Sequence, residues 1–322
     1  MTLLRGLFES RLKSTEQITK LYFDGRGEAA KKRLQILKRA GLVSERKRRA
    51  FEPSILSLTK HGLEILKEKG ILAEYPSATL TALERRAQVS ASTVRHELDV
   101  VEVKIALHLA VKDEPTLSVA EFSTWPALYL FEAELPALPR PVTVKPDGFI
   151  RLHEQDEDGG LFEHSFFLEV DRSTETLDVL TDKALCYLNF YRSGGFAVRN
   201  GGDLSSYNRF PFRVLMVFKT TERRNNIAEA LLRSNPPIFT QVYLSTMEEV
   251  TTAPLASIWI RPLDFQTATQ GTPFDPALSP RKWGYQRQTA REVFVEGNVQ
   301  KCSLLSEPPS QGKDPDRTPG RT

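Results

Sequence analysis

The residues best suited to chemistry are acidic side chains that lie in otherwise apolar segments. Asp147 lies in a Lys-Pro-Asp-Gly segment, and 22 residues after it Glu169 begins the Glu-Val-Asp group that ends at Asp171. Carboxylates resist desolvation, and strand interiors are normally filled by apolar side chains. A divalent metal would explain the pattern, because one or two carboxylates, water and substrate phosphate oxygens are the usual ligands of Mg²⁺. We therefore expect Asp147 and Glu169 to bind Mg²⁺.

Two neighbouring strands must hold these carboxylates. An apolar run that ends near residue 152 is followed by a polar, acidic turn and by a second apolar run at 162–171, which predicts a β-hairpin. Side chains alternate along a strand, so Phe167, Glu169 and Asp171 should share one face. An ion-paired strand that binds no metal is the structural alternative, with Arg172, Lys145 or Lys183 neutralising the carboxylates.

A helix from about 174 to 192 should follow the second strand, with Ser173 or Thr174 as its N-cap. Lys183 and Tyr187 are four residues apart and lie on one side of this helix. Lys183 is the candidate cation of the acidic site, and a surface lysine is the alternative. Tyr187 is expected to be a core or rim aromatic residue.

The rest of the chain up to residue 262 is predicted to alternate between helices and strands. Further strands are predicted at 212–218, 239–244 and 257–260, with a helix at 222–233. An earlier helix is predicted from Ser92, and its His96 is expected to be structural. This order of elements indicates an α/β core with a mixed central sheet.

Positive charge is concentrated at the N-terminus. Residues 1–70 contain 17 Lys and Arg against 8 Asp and Glu, a net of +9, and since the whole chain carries +3 the remaining residues carry −6. Such an asymmetry indicates a polyanionic partner for the N-terminal part, most simply nucleic acid.

The same residues predict a winged helix-turn-helix. Ser14 begins a capping box for a first helix, and a second helix from about Glu28 to Gly41 follows. Apolar segments at 42–43 and 55–58 flank a basic stretch and predict a hairpin, after which Thr59 caps a closing helix. The candidate DNA-binding side chains lie on the second helix and in the hairpin loop: Lys31, Lys32, Arg33, Gln35, Lys38, Arg39, Arg46, Lys47, Arg48 and Arg49.

In this interpretation the second helix enters a major groove of double-stranded DNA while the loop contacts phosphates. The alternatives are an ordinary solvated helix with a charged loop, or a winged helix used for protein contacts.

Two resemblances follow from these residues. Pro146-Asp147, Glu169-x-Asp171 and a helix with a lysine resemble the PD-(D/E)XK restriction-endonuclease-like core, in which such residues hold Mg²⁺ and assist cleavage of a phosphodiester. The basic N-terminal elements, Arg-His-Glu-Leu-Asp-Val at 95–100, Pro-Asp-Gly and Phe-Leu-Glu-Val-Asp-Arg-Ser-Thr-Glu at 167–175, with Lys183 and Tyr187, resemble the replication-relaxation family over about residues 10–262. That resemblance implies a role in plasmid or mobile-element replication and in relaxation of double-stranded DNA.

The chain departs from the nuclease pattern two residues after Glu169, where Asp171 stands in place of a lysine. Either Asp171 is a further ligand and Lys183 replaces the missing cation, or the site is degenerate. The resemblance thus implies a DNA-nicking phosphodiesterase with Asp147, Glu169, Asp171 and Lys183 as its site. The alternative is a non-catalytic DNA-binding regulator or relaxosome accessory factor. A tyrosine-nucleophile relaxase is less well supported, because the five histidines form no close-spaced ligand motif.

Composition sets the remaining expectations. Two cysteines 116 residues apart provide neither a disulfide framework nor a Cys-based zinc site, so we expect a reducing, cytoplasmic setting and no membrane association. Further replication or relaxosome proteins and a second copy of the chain, as a homodimer, are the candidate protein partners. The expected domains are a winged helix-turn-helix at 1–72, a connector at 73–91, a nuclease-like α/β domain at 92–262 and a largely disordered tail, rich in Pro, Gly and Thr, at 263–322.

Overall fold

The computed structural model describes residues 1–75, 81, 90–124, 129–135, 139–156, 158–268 and 299–305. The chain divides into two compact units. The first is formed by Met1–Tyr129 with Asp147–Ile150, and the second by Leu130–Pro146 with Arg151–Thr322. The predicted boundaries at residues 72, 91 and 262 stay predictions.

The first unit begins with short helices and strands. In chain order these are α1 (Thr2–Glu9), β1 (Leu12–Ser14), α2 (Thr15–Phe23), α3 (Gly27–Arg39), β2 (Val43–Glu45), β3 (Ile55–Leu58), α4 (Lys60–Glu68), a 3₁₀ turn (Ile71–Glu74), α5 (Ala91–Lys112) and β4 (Leu117–Ser123). β4 lies beside β7 (Gly148–Gln155), whose first three residues belong to this unit.

Capping residues begin the helices of the first unit where the sequence predicts them. The Ser14 side chain accepts from the Gln17 amide and Gln17 reaches back to the Ser14 amide, which is the predicted capping box. Thr59 caps α4 through the Gly62 amide. The apolar side of α3 is buried through Ala30, Leu34 and Leu37, as its periodicity predicts. These local predictions are confirmed.

A three-stranded antiparallel sheet has the order β1-β3-β2. The predicted hairpin is therefore present, and β1 adds a third strand that the sequence analysis did not include. Helix α1 was also missed, although its Leu7 and Phe8 are buried in the same core as Leu34 and Leu56. Burial of this amphipathic N-terminal helix explains its apolar residues.

The second unit contains further strands and helices, of which the first two are short. They are β5 (Phe131–Ala133), β6 (Val142–Val144), the rest of β7, β8 (Leu161–Asp171), α6 (Leu177–Arg192), α7 (Gly195–Arg199), β9 (Phe212–Phe218), α8 (Thr221–Leu232), β10 (Val242–Thr246), α9 (Met247–Thr252) and α10 (Pro262–Ala268), with a 3₁₀ turn at Leu204–Arg209.

The sheet of the second unit is mixed. β8 pairs in parallel with β9, and β9 in parallel with β10, with Glu169 opposite Met216. β7 lies on the other side of β8, and a tight turn closed by the Asp156 amide and the Gly160 carbonyl at 3.0 Å joins the two strands, so they run antiparallel. The prediction of an α/β chain with a mixed central sheet is confirmed.

Several predicted boundaries need correction. Thr176, and neither Ser173 nor Thr174, caps α6, because its side chain accepts from the Val179 amide. The apolar run at 257–260 makes only isolated bridges, Leu244 to Ile260 and Trp259 to Cys302, since its alternation is too short to extend a strand. The strand predicted at 239–244 lies at Val242–Thr246, and α5 is capped by Ser90.

The C-terminal region is described only in part. Helix α10 and the buried Leu304 belong to the segment predicted as a tail. Most of that segment and most of the connector lie outside the described residues. In the part of the chain that the structure describes, every helix is too short or too polar to traverse a lipid bilayer.

Candidate functional site

Strand β8 places two carboxylates in the interior of the second unit. Glu169 is 3% exposed and Asp171 is 6% exposed, within a strand whose residues from Ser165 onward are all buried. β8 is covered this completely because it has a strand on each side and α6 against one face. Buried carboxylates must be paired or hydrogen-bonded, so their partners decide what the site can do.

Glu169 is held by two side chains of α6. The Lys183 ammonium lies 3.2 Å from Oε2, and the Tyr187 hydroxyl donates to Oε1 at 2.6 Å. Lys183 also contacts Glu175 at 3.2 Å. Because Lys183 and Tyr187 are one helical turn apart, a single face of α6 supplies both donors. The ion pair of Lys183 with the acidic strand, which the structural alternative without a metal included, is present in the second unit.

Tyr187 is fixed by aromatic packing around it. It is fully buried, and its ring lies 5.1 Å from that of Phe167 and 5.2 Å from that of Phe131. A core aromatic residue was expected here, and the structure adds a hydrogen bond to Glu169. The hydroxyl is therefore held at one oxygen of the carboxylate, and Lys183 contacts the other.

Asp171 has a different cation. Arg223, in the first turn of α8, places Nε 2.8 Å from Oδ2, and the Ser173 amide donates to Oδ1 at 3.0 Å. Arg223 also donates to the backbone carbonyl of Glu175. Sequence reasoning missed Arg223, which lies 52 residues after Asp171 and carries no motif. Its only sequence signal is a position just after the Thr220 N-cap of α8.

Asp147 lies in the first unit, where His96 of α5 is its partner. The two side chains are joined at 2.8 Å between Nε2 and Oδ1. The neighbouring Glu97 forms an ion pair with Arg11 at 3.1 Å. Burial raises the pKa of Glu97, and Arg11 and His96 oppose that increase. The structural role expected for His96 is therefore that of a hydrogen-bond partner of Asp147.

The donor set is compatible with Mg²⁺, which favours carboxylate oxygens. Within the described ranges, no group of three or more His, Cys, Asp or Glu side chains is arranged to hold a metal. Mg²⁺ does not require such a group, because it usually takes one or two carboxylates and keeps several waters. Binding of Mg²⁺ by Asp147 and Glu169 therefore stays a prediction.

The basic side chains of the first unit lie mostly in solvent. Lys31, Lys32, Arg33, Gln35 and Arg39 are exposed on α3, and Arg46 to Arg49 are exposed in the loop between β2 and β3. Lys38 is partly buried and pairs with Glu45, which also accepts from Arg48 Nε at 3.1 Å. Glu45 connects α3 to the hairpin loop, and sequence reasoning gave it no role.

Taken together, the fold and these contacts define an α/β protein with a buried acidic strand motif and an exposed basic helix and loop. A family model described as replication-relaxation matches residues 4–203, more than half of the chain. The chain therefore belongs to the replication-relaxation family, which supports a role in plasmid or mobile-element replication or relaxation. No curated protein and no solved structure shows a significant match.

Proposed function

We propose that this protein binds double-stranded DNA through a winged helix-turn-helix formed by α2, α3, the β2–β3 hairpin and α4, in the service of plasmid or mobile-element replication or relaxation. The observation that carries the proposal is the row of exposed basic side chains on α3, at Lys31, Lys32, Arg33 and Arg39. α3 buries only its opposite side. A helix exposed in this way and lined with cations suits the major groove and its flanking phosphates.

The hairpin loop supports the same function. Arg46, Lys47, Arg48 and Arg49 follow one another in it, and all are exposed. The ion pairs of Glu45 with Lys38 and Arg48 connect the loop to α3 within this unit. Both basic segments would then meet a polyanion as one surface.

Duplex binding tests this proposal through its dependence on salt. Fluorescence anisotropy with a labelled duplex would compare wild type with a variant that carries Lys31→Ala, Lys32→Ala and Arg33→Ala. If each side chain contacts a phosphate, the slope of log K against log salt becomes less steep by about 3. Affinity should fall by at least about tenfold.

The matched control removes the same charge from α4 and its end. Lys60, Lys67 and Lys69 are exposed, and their replacement by Ala should leave the affinity within about threefold, since long-range attraction between exposed charges is screened. Equal losses in the two triple variants would contradict a specific role for α3. No salt-dependent binding by wild type would reject the function.

A second candidate function is Mg²⁺-dependent nicking of DNA by a nuclease-like core. The specific observation in its favour is the lysine 3.2 Å from a buried glutamate on a sheet strand. Lys183 would stabilise negative charge on the substrate, and Tyr187 would orient Glu169 as a positioning residue. Mg²⁺ bound at Glu169 would supply Lewis-acid stabilisation of phosphate oxygens.

Another observation favours a non-catalytic accessory or regulatory role. Asp171 occupies the position of the nuclease lysine, and Arg223 neutralises it in a buried ion pair. Nicking of supercoiled plasmid with Mg²⁺ or Mn²⁺ separates the two roles. Activity that is lost in Asp147→Asn and Glu169→Gln but kept in Asp178→Asn, an exposed acid on α6, supports the enzyme. Absence of activity from wild type, together with retained duplex binding, supports the accessory role.

A further inference from the structure

Phe51 is a fully exposed aromatic residue at the tip of the most basic loop in the chain. Its exposure is 100%, and the next most exposed large apolar side chain in the described residues is Leu161 at 65%. A phenylalanine in water forgoes the free energy of burial, and a ring that lies beside several cations at a loop tip is available to a polyanionic partner. The preceding residues Arg48 and Arg49 give that tip a positive charge.

Hydrogen bonds within the loop hold the tip at which Phe51 lies. The Glu52 amide donates to the Arg49 carbonyl at 3.1 Å, and the Arg49 amide donates to the Glu52 carboxylate at 3.0 Å. Arg48 donates to the Glu52 carbonyl at 3.1 Å. These three bonds close a turn that leaves Ala50 and Phe51 at its corner. These local bonds therefore support the backbone under the ring.

The base of the loop is also fixed. Ser54 donates to Glu45 Oε1 at 2.6 Å, and the Arg46 amide donates to the Ile55 carbonyl at 2.9 Å. Glu45 in turn pairs with Lys38 of α3. The tip therefore projects from a braced hairpin whose base is joined to the basic helix.

We propose that Phe51 is a wedge that enters between base pairs of duplex DNA and partly unstacks one base step. This inference rests on the DNA binding proposed above and deepens it. Apolar side chains flanked by cations are the usual means of kinking a duplex, because the cations hold the backbone while the ring replaces stacking. Charge complementarity favours DNA as the occupant, since basic side chains precede the ring at four successive positions, 46–49.

The wedge also predicts where on a duplex the protein bends DNA. Pyrimidine–purine steps such as TA and CA are the most easily kinked and unstacked. Phe51 should therefore favour sites that contain such a step under the loop, without any hydrogen bond to a base edge. Phe51 would therefore select base steps that deform easily, and α3 would make the hydrogen bonds to base edges.

Two readouts on the full chain test the wedge. A 2-aminopurine placed at a TA step reports unstacking by increased fluorescence, and a dye at each end of the duplex reports bending by energy transfer. With wild type we expect a severalfold rise in 2-aminopurine fluorescence and increased energy transfer. With Phe51→Ala both signals should fall to those of free DNA, while the salt slope stays unchanged and affinity falls about tenfold.

Controls separate the wedge from other effects. Phe51 is fully exposed, so Phe51→Ala should unfold at the wild-type temperature. Phe51→Leu keeps an apolar wedge and should retain most of the signal, and Leu161→Ala, at an exposed apolar residue of β8, should retain all of it. Unchanged unstacking and bending by Phe51→Ala, with binding intact, would overturn the wedge and leave a protein contact as the use of the ring. Failure of wild type to bind duplex DNA would overturn the proposed function and the wedge together.

Discussion

The Arg223 guanidinium and the Asp171 carboxylate form a buried ion pair, with Nε 2.8 Å from Oδ2. The pair joins the end of β8 to the first turn of α8. Asp171 occupies the position at which a nuclease of the resembled type carries its lysine. A cation is thus present beside this carboxylate, and it is supplied from a distant part of the chain.

Loss of this cation should destabilise the second unit. Arg223→Met leaves an unpaired buried carboxylate, so we expect the free energy of unfolding to fall by about 3–5 kcal/mol. Urea unfolding of the full chain followed by circular dichroism measures it. The control is Arg233→Met on the same helix, because its pair with Glu229 is more exposed and should contribute at most about 1 kcal/mol. Equal losses in the two variants would mean that burial does not set the contribution of the Asp171 pair.

The hydroxyl of Tyr187 should matter separately from its ring. Tyr187→Phe keeps the aromatic packing and removes the donor to Glu169 Oε1, so unfolding should become easier by about 1–3 kcal/mol. Tyr207→Phe is the matched control at a half-buried tyrosine that packs on Tyr191, and it should change the unfolding free energy by less than about 0.5 kcal/mol. Thermal unfolding distinguishes the two variants. A neutral Tyr187→Phe would show that Glu169 does not depend on this hydrogen bond.

His108 should make the stability of the first unit depend on pH. Burial, with Lys104 acting in the same direction, lowers its pKa from 6.5 to about 4. The folded state therefore disfavours the protonated ring, and the unfolded chain binds the extra proton. Stability is full above about pH 6.5 and is lost as pH falls toward 4. His108→Gln should flatten the unfolding free energy across that window, as measured by denaturant titrations at successive pH values.

Glu45 should make the stability of the first unit depend on pH in a second, more acidic range. The Lys38 ammonium, Ser54 and Arg48 hold the pKa of Glu45 at about 2, below its usual 4.5. Because the folded pKa is depressed, the stabilising contribution is present above about pH 4.5 and is lost as pH falls toward 2. Glu45→Gln should remove this dependence and leave the His108 window unchanged. A steeper acid transition in Glu45→Gln would contradict the assignment.

Local chemistry made much of the first unit predictable. The Ser14 capping box, the Thr59 cap and the spacing of Ala30, Leu34 and Leu37 each act within a few residues, so the sequence displays them directly. Helix α1 was missed although Leu3, Leu4, Leu7 and Phe8 recur at helical spacing. Strand β1 has three residues, too few for alternation to be visible.

The acidic site was predictable only in part, for a different reason. Lys183 and Tyr187 lie one helical turn apart in the helix that directly follows β8. Because the helix follows the strand without a long connection, the sequence alone placed both side chains near Glu169. Arg223 reaches Asp171 only because β8 and β9 pair in parallel and α8 follows β9. Such a contact depends on tertiary structure and leaves no periodic trace in the sequence.

If the protein binds DNA as proposed, the Glu45 ion pairs should limit how strongly its affinity depends on salt. Nine of the ten predicted DNA-binding side chains are cationic, and Lys38 and Arg48 already share the carboxylate of Glu45. Cations that stay paired with carboxylates release fewer counterions from phosphates, so the slope of log K against log salt should be less steep than the roughly −8 that nine phosphate contacts would give. Lys38 and Arg48 would then contribute more to the shape of the proposed binding surface than to its response to salt.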